Sequence, residues 1–148
     1  MAIEHFEHTV TEADTAAVLG SGDLPVLATP RLINWVERAT FAVARAGLPE
    51  GHTTVGTVVR VEHLKGSPVG TVVTIRCSKP ISDGRRLIFH VTAADETGEP
   101  IATGEFHRRV VDPERFMSRF PATPAAPATP DPSADTTASP VVPAAPPE

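Results

Sequence analysis

An α+β domain, in which an antiparallel sheet folds against or around one long helix, is the fold this chain predicts, on three observations. One stretch beginning near residue 30 keeps helical periodicity for about four to five turns. The half of the chain that follows alternates with period two in short runs separated by turn residues. After Phe120 the composition changes abruptly, and nine of the sixteen prolines lie beyond it.

Taken in order, residues 3–10 suit an edge strand. The helix begins at Thr29, a residue type favoured as N-cap, followed by Pro30, whose fixed φ suits the first helical position. It ends at Gly47, before Leu48-Pro49. Leu32, Val36, Ala39, Val43 and Ala46 recur at spacings of four and three, whereas Arg31, Asn34, Arg38 and Arg45 form a narrow polar stripe, so most sides of the helix are expected to be buried. In the first strand Val55, Thr57, Val59, Val61 and His63 share one face and Gly56, Val58, Arg60 and Glu62 the other. The same alternation returns in Val73, Ile75 and Cys77, in Leu87, Phe89, Val91 and Ala93, and from Ile101 to Val111. Lys65-Gly66-Ser67-Pro68 and Ser82-Asp83-Gly84-Arg85 are turn signals, so these runs read as four consecutive hairpin-linked strands.

The expected domain spans residues 1–120. Residues 121–148, almost entirely Pro, Ala, Thr, Ser and Asp without aromatics, are expected to form a disordered tail, because such a composition cannot bury enough surface to offset the entropy of ordering. Residues 1–120 carry 13 basic and 15 acidic side chains, and the tail adds Asp131, Asp135 and Glu148. The bases are interspersed with acids and not clustered, which argues against a nucleic-acid partner. No apolar run approaches a membrane span. The N-terminal MAIEHFEHTV lacks a basic start followed by an apolar stretch, and a lone Cys77 cannot form an internal disulfide, so a cytoplasmic location is expected. The histidines show no metal-ligand spacing and the glycines no phosphate-binding loop, so neither a metal nor a cofactor is expected.

Glu37 is the most informative residue. Its helical neighbours Ile33, Thr40, Phe41 and Ala44 include no cation, and a carboxylate on an apolar face is suited to acid or base chemistry if burial raises its pKa. The plainer reading pairs it with an arginine from another strand or subunit. His63 ends the apolar face of its strand, just before a turn, where catalytic groups often sit. Thr29 reads equally as a cap and as a hydroxyl placed beside the free N–H groups of a helix start, where an oxyanion could be stabilised. Eight helical residues separate Thr29 from Glu37, about 12 Å of rise. Either the helix starts later and the preceding loop folds back, or the site is assembled across a two-fold interface.

The runs Leu27-Ala28-Thr29-Pro30, Trp35-Val36-Glu37, Val55-Gly56-Thr57 and Val61-Glu62-His63 resemble the fluoroacetyl-CoA thioesterase-like branch of hotdog-fold proteins over roughly residues 20–111. The resemblance implies a hotdog domain in which Thr29, Glu37 and His63 are catalytic and Gly56, Phe106 and Arg108 line the substrate site. It also implies a homodimer or dimer of dimers acting on a small acyl-CoA or carrier-bound acyl thioester. The closing strand departs from the family's usual Gly-Thr-His-Glu-Arg: it reads Gly104-Glu105-Phe106-His107-Arg108, with Phe106 in place of the histidine, so fluoroacetate itself is not carried over. Hydrolysis would use Thr29 as nucleophile, or a water activated by Glu37, with His63 passing a proton to the leaving thiolate. The alternatives are a non-catalytic hotdog that binds an acyl-CoA or acyl carrier, and a hotdog hydratase or dehydratase.

Overall fold

The computed structural model describes residues 3–122, so the expected tail lies, apart from its first two residues, outside the described residues. The described residues up to Ser118 belong to one compact unit; of the second unit only residues 119–122 are described, and they hold no helix or strand. The elements are β1 (Ile3–Thr9), a 3-10 turn (Glu12–Asp14), α1 (Ala16–Leu19), α2 (Thr29–Ala46), β2 (Thr53–His63), β3 (Val72–Ser78), β4 (Ile81–Asp83), β5 (Arg86–Ala94), β6 (Pro100–Val111) and α3 (Pro113–Met117).

The strands form one antiparallel sheet in the order β1-β3-β5-β6-β2, with β4 paired to β5. Alternate residues Val73, Ile75 and Cys77 of β3, and Phe89, Val91 and Ala93 of β5, turn inward and are at most 3% exposed. They meet Leu32, Trp35, Val36 and Ala39 of α2, which gather the apolar positions of the helix on the side facing the sheet. The lone Cys77 is fully buried among them, and burial pushes its thiol pKa up to about 12, which makes it an inert core residue. At the β1 edge His8 stacks on Trp35 with ring centroids 4.5 Å apart. The α+β hotdog expectation holds, as does the edge strand near the N-terminus.

The connectivity corrects one expectation. The four strands are not consecutively hairpin-linked: β2 pairs with β6 and not with β3. The Lys65–Pro68 turn signal belongs to a crossover from the β2 edge to the interior strand β3 beside the opposite edge, anchored near the start of α2 by the Leu27 N–H donating to the Ser67 carbonyl at 2.8 Å. Tight reversals join β4 to β5, where Gly84 takes a φ of 59°, and β5 to β6.

The facing of β2 is a second correction. Gly56 opposes Arg108 and Val58 opposes His107, which leaves Thr57 as an extra residue in a β-bulge, its hydroxyl donating to the His107 carbonyl at 3.2 Å. The bulge shifts the alternation by one. Thr54 and Gly56, and not Val55 and Thr57, therefore share the helix-facing side with Val59, Val61 and His63.

Candidate active site

Thr29 is the first residue of α2, and Ala28 is its N-cap, with no side-chain capping bond. The expectation that Thr29 caps the helix is thus displaced by one residue, because Ala28 already holds the extended backbone that a cap requires. Freed from capping, the Thr29 hydroxyl lies 2.8 Å from His63 Nδ1 at the end of β2. His63 is half-buried, and burial holds its pKa below the ordinary 6.5, opposed in part by the Lys65 backbone. The imidazole is therefore neutral near pH 7 and able to accept a proton. Its Nε2 is buried with no hydrogen-bond partner among the described residues. The pair borders a cleft of about 380 Å³ lined also by Ala16, Val26 and Lys65.

Glu37 lies two turns further along α2. Its side chain is 43% exposed and its Oε1 is 3.7 Å from Arg108 Nη1. The carboxylate is therefore not enclosed on a wholly apolar face: the cation missing from its own helix comes from β6. Arg108 is 6% exposed and spends its donors on the protein. Nε donates to Thr54 Oγ1 at 2.8 Å, Nη2 to the Thr54 carbonyl at 3.3 Å, and Nη1 to Thr40 Oγ1 at 3.4 Å. The guanidinium also lies over the Phe41 ring, 5.4 Å from its centroid. Gly56 completes this group, since a Cβ there would collide with Glu37 Oε1. Phe106, two residues before Arg108, is 2% exposed in the core between Phe89 and Val59.

One chain therefore holds two separate clusters, Thr29 with His63 and Glu37 with Gly56 and Arg108. They are separated by an unbroken helix whose eight-residue rise is about 12 Å. Thr40 and Thr54 were not singled out in the sequence. Thr40 stands three residues after Glu37 on the same helical face, a signal that was available; Thr54 acquires its role only from the pairing of β2 with β6.

A family model described as fluoroacetyl-CoA-specific thioesterase matches residues 10–114. The chain belongs to this family. The curated fluoroacetyl-CoA thioesterase of Streptantibioticus cattleyicolor is 32% identical over 94 residues, covering 64% of this chain and 67% of that protein. A solved fluoroacetyl-CoA thioesterase structure is 26% identical, with a TM-score of 0.73, covering 80% of this chain and 91% of the other. A thioesterase superfamily member from Thermus thermophilus is 25% identical with a TM-score of 0.73, covering 80% and 88%. A hot-dog-like protein from Thermanaerovibrio acidaminovorans, at 24% identity and a TM-score of 0.72 over 82% and 93%, shares the fold. The thioesterase family and the hotdog fold named from the sequence motifs both stand.

Proposed function

We propose that this protein hydrolyses small acyl-CoA thioesters at a site built by two copies of the chain, with Thr29 and His63 from one and Glu37 from the other. The observation that carries the reading is the 2.8 Å contact between a hydroxyl free of any capping role and an imidazole kept neutral by burial, a nucleophile and its base. Thr29 gives its proton to His63 Nδ1 as Oγ1 attacks the thioester carbonyl. The first turn of α2, uncapped by any side chain, supports the oxyanion with free N–H groups and its dipole. The tetrahedral adduct collapses to an acyl-threonine, and the thiolate leaves with the proton held by His63. Water, deprotonated in turn by His63, then releases the carboxylic acid and restores Thr29. Glu37 of the second copy supplies the carboxylate of a hydroxyl–imidazole–carboxylate triad once the His63 ring turns to uncover Nε2, which is enclosed within the single chain.

An open sheet edge supports the pairing of two copies: β2 ends the sheet, with Val59 44% exposed. A two-fold axis at Arg60 sets Val61 against Val59 and Glu62 against Val58. With Thr57 taken up in the bulge, it sets His63 against Gly56, beside which Glu37 lies. Arg108 is then a residue that holds Glu37, and Phe106 one that supports the floor beneath it. The setting is a cytoplasmic homodimer.

Co-expression of a Thr29→Ala chain with a Glu37→Gln chain tests the shared site. Each variant alone is expected to be nearly inactive in thiol release from acyl-CoA, whereas the mixture recovers about a quarter of wild-type activity, since half of the dimers are mixed and each has one intact site. No recovery would place all three groups in one chain, and binding without turnover by the wild type would favour a non-catalytic acyl-CoA binder. The pH profile gives a second check. Within one chain burial holds the His63 pKa below 6.5, and a Glu37 carboxylate from the second copy raises it, so Glu37→Gln is expected to shift the acid limb of kcat/KM to lower pH.

A further inference from the structure

At the far end of α2 from Thr29, about 27 Å along the 18-residue helix, lies a second cavity of about 800 Å³. Its origin is legible in the helix. The first half fills the space above the sheet with Leu32, Trp35 and Val36, but the last turns carry only Ala44 into the core, with Ala42 and Ala46 on the exposed side, side chains too short to fill the space at the helix end. The exposed wall is apolar, formed by Phe6 of β1, Val43 and Leu48 of the helix end, Leu87 of β5 and Val110 of β6. Lys79 and Arg85, flanking the β4 hairpin, stand among the lining residues with a single acid, Glu4. Among the described residues neither cation has an ion-pair partner, so two cations and one acid give the lining a net charge of +1.

We propose that this cavity is a binding site for a medium-chain aliphatic monocarboxylate, its alkyl chain against Phe6, Val43, Leu87 and Val110 and its head between Lys79 and Arg85. Apolar walls with a few convergent polar groups, at this volume, are the usual make-up of a small-molecule site. The net charge matches one negative charge; a phosphate-headed amphiphile, with nearly two, would leave the occupied site net negative. The site is separate from Thr29, His63 and Glu37, and it does not rest on their proposed chemistry.

Isothermal titration of the full chain with decanoate, decanamide and decyl phosphate tests this. Decanoate is expected to saturate at one per chain and to stay bound in excess CoA. Decanamide, and decanoate on the Lys79→Ala/Arg85→Ala protein, should bind at least about tenfold more weakly, the loss expected for a charge-assisted contact. Ala46→Phe, which fills the cavity from the exposed side of the helix, should weaken decanoate likewise, with thiol release from acyl-CoA unchanged in all variants. Absence of saturable binding, equal binding by the cation-free protein, displacement by CoA or tighter binding of decyl phosphate would each overturn the proposal. So would a sedimentation result showing that two copies close this cavity against each other and leave no room for decanoate.

Discussion

His63→Ala is expected to lower kcat for thiol release by about 10²–10⁴-fold, the contribution of a positioned general base, while KM and the unfolding transition change little. The expectation rests on what the imidazole touches. Its Nδ1 is held by Thr29, its Nε2 has no partner among the described residues, and it is half-buried at the end of an edge strand. The bond to Thr29 is exposed and worth about 1 kcal/mol, so removing the ring sacrifices little folding free energy. A structural histidine would show the reverse pattern, with a clear loss in melting temperature and a small loss in rate. Steady-state kinetics beside thermal unfolding of the same variant distinguish the two. A kcat within tenfold of wild type would remove His63 from the mechanism and with it the acyl-threonine.

The candidate residues are legible in the sequence and their arrangement is not. Thr29, Glu37 and His63 stand out by residue type and position, Gly56 and Arg108 only through the family resemblance, and the elements that bear them follow from periodicity. What periodicity cannot report is which strand lies beside which. The partner of β2 is β6, some fifty residues later, so the pairing that brings Arg108 to Thr54 and Glu37 leaves no local trace. The bulge at Thr57 is hidden for the same reason: alternation counts residues along one strand, whereas a bulge exists only relative to the neighbouring strand. Three residues, Ile81–Asp83, are too few to show a period, so β4 is hidden beside a turn signal. The residue type of Thr29 favours the cap, one position before the one it holds, and only tertiary contact with His63 shows that its hydroxyl is engaged elsewhere.

Gly56→Ala follows from that bulge and is expected to cost about 10²-fold in kcat/KM, the scale of a displacement of about 1 Å in a catalytic group. Without the bulge, Gly56 would face away from the helix and an alanine would be harmless. With it, the added methyl enters the space held by Glu37 Oε1. The carboxylate must turn aside, and its ion pair with Arg108 Nη1 at 3.7 Å opens. Arg108 cannot follow, because Thr54 and Thr40 hold three of its contacts and it is nearly enclosed. Because the displaced atom ends a flexible side chain that is 43% exposed, the melting temperature should change little beside the kinetic loss. The double variant Gly56→Ala/Glu37→Gln separates the two effects. If the methyl acts only by displacing Glu37, the alanine adds little further loss of rate once the carboxylate is gone, and the two substitutions are strongly non-additive. Additive losses would mean that Gly56 serves the reaction independently of Glu37, for instance by letting the substrate approach the β2 backbone.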